Sequence, residues 1–198
     1  MTSKQKHRFY LQSFSKEIYD KCVVNKHDSG IFIECGVKYG SSAIIIAKEL
    51  NLPGYLFDTW NKFDGITSID GNDKRIKRIK KRKLKYIYLL CKKAIKENNL
   101  ENLCTMIKGD VRKTLPLCLK DMTKSIMFAH LDMDLYSPTK MALELIWPKL
   151  HENGLVFVHD YNDKKWKGIT KSVDDFVTEN KNITIKELDI HACVLRKV

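Results

Sequence analysis

The sequence predicts an α/β protein with a Rossmann-like, doubly wound, mostly parallel sheet, helices on both faces and a C-terminal antiparallel hairpin. Two observations support this fold class. Short apolar runs alternate with helical patterns along the chain, and these runs are apolar on both faces, as strands covered by helices must be. With 198 residues, 43% of them hydrophobic, the chain fits one domain over residues 1–198.

Five apolar runs are predicted to be the parallel strands, because they are brief and rich in β-branched or aromatic residues. They are residues 31–35, 54–58, 104–109, 125–132 and 155–160. The last segment, "ITIKELDIHACVLRKV", alternates weakly around a polar centre. It predicts the closing hairpin.

Helical patterns separate these runs. In "SPTKMALELIWPKLHENG", Ser137 can cap the N-terminus, Pro138 suits the first helical position, and Asn153-Gly154 can end the helix. Residues 169–177 place apolar side chains at helical spacing. The alternation of strand and helix is therefore continuous in the second half of the chain.

The formal charge of +12 comes mainly from residues 74–85, which hold nine basic and no acidic side chains. We expect a basic helical insertion at about residues 71–99, between the second and third strands. Such a segment could neutralise RNA phosphates or attract an anionic lipid or glycan. A solvated helix face is the alternative for this segment. The alternative function is an RNA- or anionic-polymer-binding protein, or an RNA methyltransferase, that acts through residues 74–85.

The N-terminal residues are too charged for a signal peptide, and the apolar runs are far shorter than the roughly 20 residues that span a bilayer. We expect a cytoplasmic protein without a membrane span. Its six cysteines lack C-x-x-C spacing, which favours reduced thiols over a zinc or redox site. Assembly into a homo-oligomer is left open.

A glycine turn follows the first strand, in "IECGVKYGSSA". Gly36 and Gly40 let the backbone approach a ligand, and a helix starting near Ser41 and Ser42 offers unpaired amides to it. The turn lacks the glycine patterns of P-loops and dinucleotide sites, so neither ATP nor NAD is the leading ligand. A simple capping turn is the alternative.

Acidic residues follow three of the predicted strands or lie at their ends. Glu34 precedes the turn and Asp58 closes the second strand, where carboxylates can bind ribose hydroxyls and attract a cationic group. S-adenosylmethionine has both features. Asp110 follows Gly109 at the third strand and could accept a hydrogen bond from an adenine amino group, or could cap a helix instead.

Two more acids, Asp132 and Asp160, end the fourth and fifth predicted strands. Ligands of open α/β sheets bind at this edge, so the two carboxylates should meet there. Like charges at one place favour a shared cation, and hard oxygen ligands favour Mg²⁺. A metal would polarise a bound hydroxyl and ease its deprotonation. Helix capping or surface ion pairs are the alternatives.

Two histidines accompany these acids. His130 precedes Asp132 by two residues, on the same face of a regular strand, and His159 is adjacent to Asp160. His159 could be a metal ligand, a base or an orienting group, and either histidine could be only a buried, hydrogen-bonded imidazole. The candidate catalytic residues are His159, Asp132 and His130.

Several ordered motifs over about residues 30–180 resemble the macrocin O-methyltransferase (TylF/MycF-like) family of class I S-adenosylmethionine-dependent methyltransferases. They are "IECGVKYGSSA", "FDTW", "KGDVRKTLP" and "LDMDLYSPTKMALELIWPKLHENGLVFVHDY", the last being similar to D-x-D-x-Y-x-[ST] continuing to G-G-x-x-x-x-D-D-Y. The resemblance implies metal-dependent transfer of a methyl group to a hydroxyl, often on a sugar of a natural product.

By position, the resemblance and the turn together give the candidate cofactor-binding and metal-binding residues. The cofactor set is Glu34, Cys35, Gly36, Val37, Gly40, Ser41, Ser42, Asp58, Thr59, Gly109, Asp110 and Val111, and the metal set is Asp132, Asp160 and His159. His159 replaces an acid of the family pattern, which removes a negative charge. Leu155 replaces a glycine, and Leu135 lies where related catechol-type enzymes have a lysine base, so no base is implied.

Overall fold

The computed structural model describes residues 1–23, 30–61, 66–70 and 85–198. Within these residues the chain forms one seven-stranded sheet with the order β3-β2-β1-β4-β5-β7-β6. The strands are β1 Ile31–Cys35, β2 Gly54–Asp58, β3 Cys104–Lys108, β4 Ile126–Leu131, β5 Leu150–His159, β6 Ile183–Leu188 and β7 Ala192–Lys197. Strands β1 to β5 are parallel, and β7 is antiparallel to β5 and β6. The predicted fold class and C-terminal hairpin are confirmed.

Six α-helices lie in the described part of the chain. They are α1 Ser3–Ile18, α2 Ser41–Leu50, α3 Lys85–Glu97, α4 Val111–Lys120, α5 Tyr136–Ile146 and α6 Lys167–Glu179. A π-helical turn, Tyr19–Val23, follows α1. Residues 71–84 of the predicted basic insertion lie outside the described residues, and residues 85–97 of it form α3. None of the helices that the structure describes is both long and apolar enough to cross a membrane.

The helices cover both faces of the sheet, with one buried cluster on each face. Phe32 of β1 points into the cluster under α1, α2 and α3. Its neighbours Ile31 and Ile33 point into the cluster under α4, α5 and α6. Because β1 and β4 are adjacent at the centre of the sheet, the loops after them meet at its carboxyl edge. Five cysteines are free thiols: Cys35, Cys91, Cys104, Cys118 and Cys193.

Helix α5 differs from the prediction at both ends. It begins at Tyr136 rather than after Ser137, because the carboxylate of Asp70 accepts a hydrogen bond from Tyr136 N at 2.6 Å and caps the helix from a distant segment. It ends at Ile146, before a 3₁₀ turn that contains Pro148. Asn153-Gly154 lies within β5, which starts at Leu150 instead of Leu155.

Helix α1 is the element that the sequence analysis did not predict. Its Leu11 is fully buried against the sheet. Tyr10 Oη donates to Asp189 at 3.0 Å in the turn between β6 and β7, and Arg196 of β7 pairs with Glu17 at 2.8 Å. Contacts near both ends therefore hold α1 across the sheet.

Candidate functional site

The glycine turn joins β1 to α2 in backbone conformations that favour glycine. The φ angles of Gly36 and Gly40 are +95° and +81°, and Gly36 N donates to Phe57 O at 2.8 Å. A Cβ atom on Gly36 would lie 2.0 Å from the carbonyl oxygen of Asp132. The turn thus lies directly against the first residue after β4, and only a residue without a side chain fits there.

Asp58 links this turn to the loop after β2. Its two carboxylate oxygens accept hydrogen bonds from Lys38 N and Trp60 N, both at 2.7 Å. Trp60 Nε1 donates in turn to Lys38 O at 2.9 Å, and Thr59 Oγ1 is 3.5 Å from the carboxylate. Burial raises the pKa of Asp58, and these hydrogen bonds oppose the rise. Oδ1 accepts from both Trp60 N and Thr59 Oγ1, whereas Oδ2 accepts from Lys38 N and keeps a second lone pair for a ligand.

Asp110 occupies the expected place after β3 and caps α4. Its carboxylate accepts a hydrogen bond from Arg112 N at 3.0 Å and pairs with the Arg112 guanidinium, which lowers the pKa of Asp110. Gly109, with φ of +151°, makes the turn, and the buried Val111 begins the helix. The predicted cofactor residues therefore lie in three loops that follow neighbouring strands, with Ser41 and Ser42 opening α2.

The structure brings the three predicted metal ligands together. Asp132, His159 and Asp160 each offer one ligand atom, and these atoms lie within 4.8 Å of one another. His159 Nδ1 is 3.3 Å from Asp132 Oδ1 and 3.1 Å from Asp160 Oδ1. Nδ1 nevertheless has no well-aligned hydrogen bond among the described residues. Ligand atoms this close together could share one cation.

The charges of this cluster are strongly coupled. Burial opposes a charge on His159, but Asp132 and Asp160 outweigh it and raise the pKa of His159 to about 11. Burial also opposes a charge on Asp132, and the imidazole of His159 outweighs it and lowers the pKa of Asp132 to about 2. A protonated His159 therefore supplies the positive charge between the carboxylates that a divalent cation could supply instead.

Asp134 is a site residue that the sequence analysis did not single out. Burial, followed by the charges of Asp132 and Asp160, raises the pKa of Asp134 well above its usual range. Its side chain is within hydrogen-bonding reach of Asp160, and its φ is +63°. The sequence did contain a signal for Asp134: it is the second acid of "LDMDL" and follows the same strand as Asp132.

His130 is fully buried and paired with Glu34. His130 Nδ1 lies 3.0 Å from Glu34 Oε1. Burial lowers the pKa of His130 to about 4 and raises the pKa of Glu34, so the uncharged forms of both are favoured. Nε2 of His130 and Oε2 of Glu34 have no hydrogen-bond partner among the described residues.

A third histidine, His7 of α1, completes an imidazole cluster. Its ring centroid lies 4.6 Å from that of His159, 5.5 Å from that of His130 and 5.6 Å from that of Phe157. Burial and then the nearby histidines lower the pKa of His7 to about 3, so it is neutral at pH 7. The spacing of His7 to Leu11, one helical turn, was the only sequence signal for it.

Comparisons with known proteins agree on the fold. No curated protein sequence matches the chain. The calicheamicin methyltransferase CalS11 superposes with a TM-score of 0.76 at 20% identity, over 99% of this chain and 80% of that one. The O-methyltransferase NovP superposes with a TM-score of 0.74 at 19% identity, over 96% of this chain and 79% of that one. A third similar structure is the O-methyltransferase TomG from Streptomyces achromogenes, involved in tomaymycin synthesis and solved in complex with SAM. It superposes with a TM-score of 0.68 at 10% identity, over 98% of this chain and 80% of that one.

A family model described as a methyltransferase domain matches residues 33–161. The match runs from β1 to the residue after the Asp132, His159 and Asp160 cluster, and it includes the glycine turn and Asp58. It covers more than half of the chain. The chain therefore belongs to this methyltransferase-domain family.

Proposed function

We propose that the protein is an S-adenosylmethionine-dependent O-methyltransferase that needs a divalent cation and acts on a hydroxyl group of a sugar or another small acceptor. The main support is the convergence of Asp132, His159 and Asp160 beside the glycine turn of a methyltransferase domain. The names of CalS11, NovP and TomG support the choice of an oxygen nucleophile on a natural product. Membership of the macrocin O-methyltransferase group is part of this proposal.

The cofactor would bind over the glycine turn. S-adenosylmethionine supplies the methyl group on a sulfonium centre. Gly36 and Gly40 let the backbone approach the ligand closely, and the first amides of α2 point toward the same edge of the sheet. Asp58 is already oriented by Lys38 N and Trp60 N, so the free lone pair of its Oδ2 is in place for a ribose hydroxyl.

The metal-binding residues fit a divalent cation. Two carboxylates suit Mg²⁺, and the imidazole of His159 is a donor that Mn²⁺ and other transition metals accept readily. A cation held there would polarise a hydroxyl and ease its deprotonation. Asp132 and Asp160 hold the cation, His159 contributes nitrogen, and the buried His130 orients Glu34 below the turn.

The alternative, binding or methylation of RNA or binding of another anionic polymer through residues 74–85, rests on the basic charge of that segment and on similarity in fold to solved structures named as rRNA methylases. Residues 74–84 lie outside the part of the chain that the structure describes. The described site accounts for small-molecule methyl transfer without them. Location in the cytoplasm and assembly into a homo-oligomer likewise stay predictions.

The function is tested by calorimetric titration with S-adenosylhomocysteine, with and without Mg²⁺ or Mn²⁺, on wild-type protein and two variants. Asp58→Ala should weaken binding of the cofactor product. Asp160→Ala should leave that binding largely intact and abolish methyl transfer to the hydroxyl acceptors of a screen. Asp163→Ala, four residues beyond the end of β5 and outside the cluster, is the matched control for Asp160→Ala.

Three results would contradict the proposal. Wild-type protein that binds no S-adenosylhomocysteine under any of these conditions has no cofactor site. Near-normal turnover of Asp160→Ala would remove the metal assignment. Tight RNA binding that declines steeply with salt, in a protein without methyl transfer, would favour the alternative function.

A further inference from the structure

We propose that His7 is a positioning residue for the metal site: its ring packs on His159 and fixes the direction in which His159 Nδ1 faces Asp132 and Asp160. This inference rests on the proposed cation-dependent function. It assigns to α1 a part in the site, although α1 precedes residues 33–161, which the methyltransferase family model matches.

The position of His7 is set by packing of the whole helix. Leu11, one turn further along α1, is buried in the cluster that also contains Phe157. Phe14 packs edge-on against Phe157 with ring centroids 6.2 Å apart. On the same helix, Lys6 and Tyr10 contact Asp189. The backbone of His7 is thus held independently of any contact that its own side chain makes.

The contact of His7 with His159 is ring packing. The two centroids are 4.6 Å apart with the planes inclined at 49°. Nε2 of His7 and Nδ1 of His159 both lack hydrogen-bond partners among the described residues, so no hydrogen bond joins the rings through these atoms. His7 also lies 5.6 Å from the ring of Phe157 and 5.5 Å from that of His130. His7 therefore packs against one side of the His159 ring as part of a cluster of aromatic rings.

His159 needs such support because, among the described residues, no aligned hydrogen bond fixes its Nδ1. It is the last residue of β5, and the next residue, Asp160, has a left-handed φ of +62°. Its Nδ1 approaches two carboxylates without an aligned hydrogen bond to either. If His7 were truncated, the ring of His159 could rotate into the vacated space and turn Nδ1 away from the carboxylates. Residues that orient a ligand commonly affect metal affinity by about 10–100-fold.

The test measures Mn²⁺ binding, by calorimetry and by electron paramagnetic resonance, in wild type, His7→Ala, His7→Phe and Ile18→Ala. His7→Ala should raise the Mn²⁺ Kd by roughly tenfold or more. His7→Phe keeps a flat ring and should stay within about threefold of wild type. Ile18, fully buried 11 residues further along α1, lies about 16 Å from His7 and controls for lost stability.

A spectroscopic signature separates positioning from general stability. Hyperfine coupling of Mn²⁺ to an imidazole nitrogen should be present in wild type and His7→Phe, absent in His159→Gln, and weakened in His7→Ala. Ile18→Ala should lower the melting temperature and keep both the coupling and the Kd.

Unchanged Mn²⁺ binding and coupling in His7→Ala would overturn the inference, as would equal losses in His7→Ala and Ile18→Ala. Loss of binding in His7→Phe equal to that in His7→Ala would also overturn it, because the ring would then not be the cause. Wild-type protein that binds S-adenosylhomocysteine but no Mn²⁺ would instead show that the metal part of the proposed function is wrong, and the role of His7 with it.

Discussion

Gly36 and Asp132 are in backbone contact: a Cβ atom on Gly36 would lie 2.0 Å from the carbonyl oxygen of Asp132. Asp132 N also donates to Cys35 O at 2.8 Å, immediately before the glycine. The loop that would hold the cofactor and the loop that would hold the metal are therefore one packed unit. A substitution in the cofactor loop should therefore also alter the metal loop.

Gly36→Ala should disrupt both loops. The new methyl group meets backbone, which cannot rotate away, and the φ of +95° is unfavourable for alanine. We expect a loss of about 2–5 kcal/mol in unfolding free energy, measured by urea denaturation, because strain and overpacking add. Gly40→Ala is the control, since its φ is +81° but its nearest neighbour is the side-chain sulfur of Cys91 at 3.1 Å. Equal losses in the two variants would contradict the backbone clash.

Asp70→Ala should weaken the start of α5. Asp70 is buried, caps Tyr136 N at 2.6 Å, and accepts from Thr67 N at 2.8 Å. Loss of an N-terminal cap costs about 0.5–2 kcal/mol, to be measured by thermal unfolding. Thr67→Val is the matched control, because it keeps the Thr67 N–H and removes only the hydroxyl contact to Asp70 at 2.9 Å. Stability of Asp70→Ala equal to that of Thr67→Val would show that the cap contributes little.

The parallel sheet and the acids at its edge were predictable because each depends on local sequence. An apolar run of five residues predicts a strand such as β1, and an acid directly after it must lie at the carboxyl edge. The start of α5 was not predictable in this way, because its cap, Asp70, is 66 residues from Tyr136 in sequence. Partners this far apart in sequence cannot be predicted from helix propensity or from motif spacing.

The contacts of helix α1 at the site also depend on residues that are distant in sequence, so they could not be predicted from local patterns. The sequence of α1 is polar, and nothing local indicated that His7 would meet His159, 152 positions later in the chain. The pairing of the residues at the edge, Asp132 with His159 and Asp160, was predictable because neighbouring parallel strands end together. The pairing of His130 with Glu34 was not, because it depends on the register between β4 and β1.

The pH dependence of stability should reveal the charge on His159. In the folded protein the pKa of His159 is about 11, against an ordinary value near 6.5. The folded state therefore binds more protons between these values, so the stabilisation is complete below pH 6.5 and is lost as the pH rises toward 11. In EDTA, the difference in urea stability between wild type and His159→Gln should shrink from pH 6.5 to pH 9.5, by at most about 1.4 kcal/mol per unit. A constant difference would mean that His159 is neutral.

Asp134→Asn should leave the free energy of unfolding nearly unchanged, whereas Asp134→Ala should lower it. Burial and the charges of Asp132 and Asp160 raise the pKa of Asp134 and so favour its protonated form, which asparagine imitates in shape and as a donor to Asp160. Asparagine also tolerates the φ of +63°. At pH 7 we expect Asp134→Asn to unfold within about 0.5 kcal/mol of wild type, and Asp134→Ala to lose about 1–3 kcal/mol, because Asp160 then lacks this partner. Equal destabilisation of both variants would show that Asp134 acts as a charged carboxylate, and the metal site would then have a third acid.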